Sequence, residues 1–187
     1  MAAGTPMAKG RSDHVATALL VVGIVVASVA IPRLFSGGIA AGQAPLVGKQ
    51  APAFSLPVVL NGRDGKTSIA LTDLKGEAVI LDFWATWCGP CRAEAPIVNS
   101  VAKRFKDKGL TVVGVNTSDR EGLGGPWALA HHLDYPIAYD TDSRAASDYG
   151  VQNMPTLVVI SRKGEVIAVR EGVTDASELE SLVKKAL

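Results

Sequence analysis

Hydrophobic and polar positions follow different patterns in successive parts of the chain. Residues 15–31, VATALLVVGIVVASVAI, form an uncharged, largely apolar run, and the glycine- and alanine-rich stretch after it has no regular period. Further on, short apolar runs alternate with segments whose apolar residues recur every three or four positions, which is typical of strands alternating with helices. The pattern predicts an N-terminal tail (1–14), an apolar segment (15–32), a linker (33–50) and one α/β domain (51–187).

The domain is predicted to begin with a β-hairpin and to continue with two fully buried strands. Residues 54–60 and 67–74 flank the sequence NGRDG, whose Asn-Gly and Asp-Gly pairs favour a turn. Residues 78–84 and 110–115 are nearly continuous apolar runs, as expected for strands buried on both faces of a sheet.

A helix is predicted between these two buried strands. Beyond Cys91 the apolar positions have helical spacing, and Gly109 is suited to end the helix. A strand, a helix and a strand in this order predict a parallel pair joined by a crossover. The apolar positions are Ala95, Val98, Val101, Ala102 and Phe105.

The remaining sequence predicts further elements of the same sheet. A second crossover through 126–133 leads to a short strand over 137–139 and a helix over 143–148, and the turn RKG joins strands over 156–161 and 165–169. The last helix has Asp175 and Glu178 at capping-box spacing. It is predicted to bury Leu179, Leu182, Val183 and Leu187.

The apolar segment near the N-terminus is best interpreted as an uncleaved membrane anchor. A spanning helix needs about 20 apolar residues, whereas the apolar region of a cleaved signal has about 7–15. Cleavage remains an alternative, since AAGQA at 40–44 resembles a cleavage site, and a buried core helix is disfavoured because the run is not amphipathic. Lys9 and Arg11 precede the run and Arg33 follows it, which weakly favours a cytoplasmic N-terminus.

Charge and cysteine content narrow the function classes. The 187-residue chain has a formal net charge of +1, so it has no basic surplus that would favour nucleic acid as a partner. Its two cysteines, Cys88 and Cys91, lie in the sequence WCGPC, and a bridge between them closes only a short loop. The fold must therefore depend on its core and not on cross-links.

The C-x-x-C pair is predicted to be a redox centre because it lies where a buried strand gives way to a helix. Free N–H groups and the helix dipole at a helix N-terminus stabilise a thiolate, so the pKa of Cys88 should be lowered. Pro90 suits the first turn, where its missing N–H has no cost. Cys91 lies one turn further on the same face and can reach the Cys88 sulfur.

Two structural interpretations of the cysteine pair are weaker. A zinc site needs four ligands, and the remaining candidates are His14 in the leader and the adjacent pair His131 and His132, which we interpret as surface residues. A purely structural disulfide across so short a loop would contribute little and would not need to begin a helix.

The segment VILDFWATWCGPCRAEAP resembles the active-site segment of the thioredoxin superfamily, and the resemblance extends over about residues 51–187. Within the superfamily the chain is similar to membrane-anchored TlpA/ResA/CcmG-type thiol-disulfide oxidoreductases. Four features suggest this similarity: the N-terminal anchor, the extra hairpin, CRAEAP after the second cysteine and an insertion over about 119–140. The resemblance implies a thioredoxin-like fold: a mixed sheet flanked by helices, with an N-terminal hairpin extension and a central α/β insertion, preceded by one transmembrane helix.

The same resemblance implies a location and partners. Such proteins are held in the inner or cytoplasmic membrane by a single span, and their redox domain faces the periplasm or the cell exterior. They keep cysteines of extracytoplasmic proteins reduced, for instance in apocytochrome c or copper-site assembly proteins. A membrane thiol-disulfide transporter would supply electrons, and no cofactor beyond the Cys88–Cys91 disulfide is expected.

The resemblance also implies several site residues. NMPT resembles the loop whose cis-proline faces the disulfide, so Met154–Pro155 is expected to be cis although X-Pro bonds are mostly trans. The backbone beside such a proline pairs with an incoming chain, which makes Met154 and Thr156 candidate contact residues. Gly89 and Pro90 between the cysteines are further candidates for substrate contact.

Two acids and one tryptophan complete the candidate site. Asp82 matches the buried acid beneath the resolving cysteine, and burial predicts a raised pKa and proton exchange with Cys91. Glu94 matches an acid that relatives place one turn after that cysteine. The alternatives are an edge-strand Asp82 bonded to nearby backbone and a solvated Glu94. Trp87 is expected to shield the sulfurs and contact partners, with burial in the core as its alternative, whereas Phe83 and Trp84 are expected in the core.

The predicted mechanism is attack of the Cys88 thiolate on a partner disulfide, followed by attack of Cys91 on Cys88. The Gly-Pro pair between the cysteines resembles that of reducing thioredoxins and favours a reductant over an oxidant. Two other classes stay open. A copper chaperone would need wider cysteine spacing and a placed histidine, and a peroxidase-like redoxin shares the N-terminal hairpin.

Overall fold

The computed structural model describes residues 46–187. The predicted tail, the predicted transmembrane segment at 15–32 and most of the linker lie outside the described residues. Within residues 46–187, no helix has both the length and the apolar character needed to cross a membrane.

Within the described residues, seven strands form one mixed sheet in the order β2-β1-β5-β4-β3-β6-β7. The β3–β4 and β4–β5 pairs are parallel, and the other neighbours are antiparallel. The predicted parallel crossover between the two central strands is therefore confirmed. The strands are β1 (Ser55–Leu60), β2 (Ser68–Ala70), β3 (Ala78–Trp84), β4 (Leu110–Thr117), β5 (Ile137–Asp140), β6 (Thr156–Ile160) and β7 (Val166–Glu171).

Helices cover both faces of this sheet. Alternate residues of a strand point to opposite faces, so β3 contributes Ile80 and Trp84 to one apolar cluster and Leu81 and Phe83 to another. The first cluster includes apolar residues of α1, α2 and α4, and the second includes those of α3. This two-sided burial explains the continuous apolar sequence of β3. The helices are α1 (Gly89–Phe105), α2 (Gly124–Ala130), α3 (Arg144–Asp148) and α4 (Ala176–Ala186).

The N-terminal hairpin is present, but its second strand is shorter than predicted. Instead of a strand over 67–74, only Ser68–Ala70 pairs with β1, and Leu71–Leu74 is a 3-10 turn. The Asp73 carboxylate accepts the Ala70 N–H at 2.9 Å and so stabilises this turn. Leu74 is buried beneath the turn, which satisfies the apolar pattern without a strand.

The predicted insertion is α2 followed by β5. Strand β5 pairs in parallel with β4 and antiparallel with β1, so it connects the hairpin to the rest of the sheet. The carboxyl ends of the parallel strands β3, β4 and β5 consequently lie at one edge of the sheet, where the cysteine loop begins.

The C-terminal helix differs from its prediction in two details. Asp175 caps α4 by accepting the N–H groups of Ser177 and Glu178, but the Glu178 carboxylate pairs with Arg170 instead of completing a capping box. Leu187, which was predicted to be buried, is only half-buried at the helix end. Ala186 is the last buried residue of the helix.

Candidate active site

Cys88 and Cys91 form a disulfide at the N-terminus of α1, with an S–S distance of 1.99 Å. Cys88 is the N-cap residue, and its Sγ accepts the Cys91 N–H at 3.2 Å. Gly89 and Pro90 are exposed in the first turn, whereas Cys88 and Cys91 are only 5% and 3% exposed. The predicted position of the pair at a helix N-terminus is confirmed, and a thiolate on Cys88 would receive the same N–H bond.

A bracket of hydrogen bonds fixes the loop between β3 and Cys88. The Asp119 carboxylate, in the loop after β4, accepts the Thr86 N–H at 2.6 Å and the Thr86 hydroxyl at 3.1 Å. It also accepts the Asn116 amide at 3.1 Å. Burial raises the pKa of Asp119, but the bonds from Thr86 and Asn116 outweigh it and hold the pKa below its ordinary value. The carboxylate is thus a permanent brace at neutral pH.

Trp87 lies on the surface and not in the core. Its side chain is 65% exposed, and its indole N–H donates to the Ser118 carbonyl at 3.0 Å. The bond orients a broad apolar ring immediately before Cys88, where an incoming chain can meet it. Phe83 and Trp84 are buried, as predicted.

The Met154–Pro155 peptide bond is cis, as the resemblance implied. The Pro155 carbonyl accepts the Gly172 N–H at 2.8 Å, and half-buried Met154 packs against the apolar cluster that contains both cysteines. The Thr156 side chain is buried, and its hydroxyl donates to the Asn153 carbonyl at 2.7 Å. Contact with a substrate at Thr156 would therefore involve its backbone.

Asp82 is buried in the middle of β3, on the face that also carries Ile80 and Trp84. Burial, together with the charge of Glu94, raises its pKa to about 7, while a hydrogen bond from the Tyr135 hydroxyl lowers it. That hydroxyl donates to Asp82 Oδ2 at 3.0 Å. A carboxyl that titrates near neutrality can both accept and return a proton under working conditions.

Glu94 is also buried, so it is not a solvated surface acid. Its side chain is 1% exposed, one helical turn after Cys91. Its Oε1 accepts the Thr174 N–H at 2.9 Å, whereas its Oε2 has no hydrogen-bond partner among residues 46–187. Burial raises the pKa of Glu94 to about 7 against the effect of the Thr174 bond. The structure therefore brings two titratable carboxyls to the buried side of the cysteine pair.

Several residues that shape this site have no recognisable signal in the sequence taken alone. Thr174 acts through its backbone, and Asp119 lies in the insertion with no motif around it. Tyr135 also lies in the insertion, but one indirect signal exists: Gly114 interrupts the β-branched run of β4. A glycine inside a buried strand indicates that another group approaches closely there.

His131 and His132 do not belong to the cysteine site. His132 is exposed, but His131 is half-buried and stacks on Trp127, with 3.8 Å between the ring centroids. In the part of the chain that the structure describes, no three His, Cys, Asp or Glu side chains come together as a metal site would require. A cavity of about 730 Å³ lies elsewhere, between the hairpin turn and the C-terminal part of α1.

Comparison with known proteins agrees with this geometry. The family model described as the AhpC/TSA family matches residues 47–169. The thiol-disulfide oxidoreductase ResA of Bacillus thuringiensis (strain Al Hakam) is 32% identical over 152 residues, which are 81% of this chain and 85% of the relative. ResA of Bacillus subtilis (strain 168) is 35% identical over 130 residues, 70% of each chain.

A solved structure shows the same fold. The thiol:disulfide interchange protein, a thioredoxin family protein from Chlorobium tepidum TLS, superposes with a TM-score of 0.64 at 33% identity. The superposition covers 73% of this chain and 94% of that one. With a C-x-x-C disulfide at a helix N-terminus on this fold, the chain belongs to the thioredoxin-like AhpC/TSA family and is a thiol-disulfide oxidoreductase.

Proposed function

We propose that this oxidoreductase reduces disulfides of partner proteins outside the cytoplasm, held at the membrane by residues 15–32. The observation that carries the proposal is the cysteine pair itself. Cys88 has a backbone N–H donor for its sulfur, while Cys91 is buried one turn from a titratable carboxyl. One sulfur is thereby suited to be the attacking anion and the other to be a thiol that must lose a proton.

The first step is attack on the partner. In the reduced protein the Cys88 thiolate attacks one sulfur of a partner disulfide, which forms a Cys88–partner bond and breaks the partner's S–S bond. The released partner sulfur leaves as a thiolate and takes a proton from water. The N–H of Cys91 and the N-terminus of α1 stabilise the attacking anion.

The second step releases the reduced partner. The Cys91 thiol gives its proton to the buried acid pair, and its sulfur attacks Cys88 Sγ. The Cys88–Cys91 disulfide forms, and the second partner sulfur leaves as a thiolate. Asp82 and Glu94 are the candidate acceptors, since each is buried there with a pKa of about 7.

A second protein must restore the dithiol. The chain has two cysteines, and both are consumed when the disulfide forms. Two electrons and two protons must therefore come from outside the chain, and we propose a membrane thiol-disulfide transporter as their source. The resemblance to TlpA/ResA/CcmG-type proteins supports the same proposal for the partners, which would be extracytoplasmic proteins such as apocytochrome c or copper-site assembly proteins.

The partner is expected to bind over the Trp87 and Pro155 loops. Trp87 offers exposed apolar surface on one side, and Met154, Gly89 and Pro90 contribute to the same rim. The backbone from Met154 to Thr156 would pair with the extended partner chain, as in proteins that resemble this one.

Equilibration of the full-length protein with glutathione buffers tests the direction of electron flow. A potential near that of thioredoxin, about −270 mV, supports a reductant, whereas a value near −120 mV would make the protein an oxidant. Consumption of peroxide in place of disulfides would favour the peroxidase alternative, and tight copper binding would favour the chaperone. Labelling Cys88 in intact cells with an impermeant thiol reagent tests the proposed orientation.

A further inference from the structure

We propose that Tyr135 is a positioning residue for the reaction: its hydroxyl holds the Asp82 carboxylate ready to accept the proton of Cys91. This inference rests on the proposed role of Asp82 as a proton acceptor. It adds a residue from the insertion whose hydroxyl bonds to Asp82 and which carries no redox motif.

The strand register creates the space in which Tyr135 lies. Asp82 of β3 pairs directly with Gly114 of β4. A Cβ added at Gly114 would lie 3.0 Å from Tyr135 Cε2 and 2.8 Å from Ile137 Cδ1. Glycine opposite the acid therefore leaves room for the tyrosine ring to lie over β4 and place its hydroxyl on Asp82.

The backbone on both sides of Tyr135 is fixed. The Asn61 side-chain amide donates to the Leu133 carbonyl at 2.8 Å and to the Tyr135 carbonyl at 3.2 Å. On the other side, the Gly114 N–H donates to the Pro136 carbonyl at 2.9 Å. A buried ring on a backbone held at both ends cannot easily swing its hydroxyl away from Asp82.

The groups that pair with Asp82 across the sheet or act on its charge supply no such donor. Glu94 of α1 is an acid and repels the Asp82 carboxylate, Gly114 has no side chain, and Leu157 of β6, which pairs with Asp82, is apolar. Cys91 of α1 and its N-cap residue Cys88 are the reacting groups. Tyr135 remains a neutral donor, because burial and the neighbouring acids raise its pKa well above 10.

The hydroxyl should favour the charged form of Asp82. A hydrogen bond to a carboxylate stabilises that form, and without it burial and the charge of Glu94 act unopposed on the pKa. Loss of the hydroxyl would leave Asp82 protonated at neutral pH, unable to accept the Cys91 proton. The step that needs this acceptor should slow, while attack by Cys88 should not change.

Reaction of the reduced, full-length protein with the disulfide reagent DTNB separates the two steps. Cys88 attacks the reagent and releases one thionitrobenzoate. Cys91 then loses its proton and attacks Cys88 Sγ, which forms the intramolecular disulfide and releases the second thionitrobenzoate. In stopped-flow absorbance, Tyr135→Phe should leave the first phase unchanged and slow the second on the order of tenfold at neutral pH. Its second phase should recover at higher pH, with the pH profile displaced upwards.

Tyr149→Phe is the matched control. Tyr149 is another buried tyrosine whose hydroxyl donates elsewhere, to the Pro52 carbonyl at 2.6 Å. Its variant should keep both phases and their pH profile. If Tyr135→Phe behaves like Tyr149→Phe, or if it slows both phases equally at every pH, the positioning role of Tyr135 is wrong.

Asp82→Asn separates this inference from the function beneath it. If Asp82→Asn leaves the second phase unchanged, the proposed role of Asp82 fails. If it slows that phase but Tyr135→Phe does not, only the role of Tyr135 fails. When Tyr135→Phe is combined with Asp82→Asn, it should change the second phase no further, since no carboxylate remains at position 82 for the hydroxyl to hold.

A second variant covers the case in which Tyr135→Phe does not fold. The chain has three tyrosines, so Tyr139→Phe combined with Tyr149→Phe leaves Tyr135 as the single site for 3-fluorotyrosine. The fluorinated hydroxyl is more acidic and donates more strongly. Compared with the same double variant carrying ordinary tyrosine, it should move the pH profile of the second-phase rate to lower pH. An unchanged pH profile would contradict the proposal.

Discussion

The division of labour between the two sulfurs predicts opposite behaviour of two serine variants. Cys91→Ser retains the attacking sulfur, which accepts the Cys91 N–H at 3.2 Å, but removes the resolving one. Incubated with a peptide disulfide, this variant should accumulate a mixed disulfide at Cys88 that intact-mass spectrometry detects. Turnover should fall at least about a hundredfold, since the second step is lost.

Cys88→Ser is the control for that experiment. The Cys91 thiol should form no adduct, because it lacks the N–H donor that stabilises a thiolate on Cys88 at the helix N-terminus. Equal adduct formation at Cys91 in this variant would reverse the assigned roles.

Glu94 predicts a pH dependence of folding stability. Its folded pKa of about 7 lies above the ordinary value of 4.5, so between these values the folded carboxyl keeps a proton that the unfolded one has lost. Protonated Glu94 therefore stabilises the folded protein fully at low pH, and this stabilisation disappears as the pH rises to about 7. The wild-type protein should lose unfolding free energy as the pH rises from about 5 to about 8. In Glu94→Gln this loss should be smaller by on the order of 2 kcal/mol.

Urea unfolding of the oxidised protein measures this effect without interference from the cysteines, because disulfide-bonded cysteines do not titrate. The Asp82 pKa should fall at the same time, since the charge of Glu94 helps to raise it. Glu121→Gln, at an exposed position, should keep the wild-type slope. An unchanged slope in Glu94→Gln would mean that Glu94 is ionised in the folded protein.

At the scale of secondary-structure elements, Asp119 connects the loop after β4 to the loop before α1. Asp119→Ala removes the acceptor of the Thr86 N–H and hydroxyl, so unfolding free energy should fall by about 1–3 kcal/mol. Hydrogen exchange at the Thr86 amide should accelerate more than exchange in β3 itself.

A matched substitution distinguishes this brace from a general effect of charge. Asp107→Ala removes an exposed aspartate at the far end of α1 and should change neither stability nor Thr86 exchange. If Asp119→Ala leaves the exchange of Thr86 at its wild-type rate, the bracket does not hold the cysteine loop.

The elements could be predicted where burial alone determines them. β3 is buried on both faces, so its whole sequence is apolar except Asp82, and the helix start at WCGPC follows from residue chemistry. The strand predicted over 67–74 was too long, because Leu71 and Leu74 are three residues apart, which also fits a 3-10 turn that buries Leu74. Nothing local indicates which pattern the backbone will adopt there.

Contacts that depend on register or on backbone atoms could not be predicted. Tyr135 reaches Asp82 only because Asp82 pairs with Gly114, and a shift of one residue would separate them. Glu94 left two interpretations open, since a helix-surface acid and a buried one have the same sequence; the Thr174 N–H and the surrounding core decide between them.

At the scale of the whole molecule, the direction of electron flow is linked to folding stability. The cysteines are three positions apart on a seven-stranded fold with its own core, so reduction should not unfold the protein. Reduction can nevertheless change the unfolding free energy, and the sign of that change is informative. In a strong oxidant the folded state stabilises the dithiol, so the reduced form is the more stable one.

A reductant requires the opposite sign, and this is what we predict. The folded state should favour the disulfide over the dithiol, so the oxidised protein should unfold at higher urea concentration than the reduced one, with an unfolding free energy larger by on the order of 1 kcal/mol. Cys88→Ser combined with Cys91→Ser should be insensitive to the reducing agent, which excludes an effect of the reagent itself. The buried carboxylates near Cys91 disfavour a negative charge on the reduced cysteine pair, and they therefore favour the disulfide over the dithiol. Greater stability of the reduced protein would therefore mean that the N-terminus of α1 stabilises the Cys88 thiolate more than these acids disfavour it, and the protein would then be an oxidant.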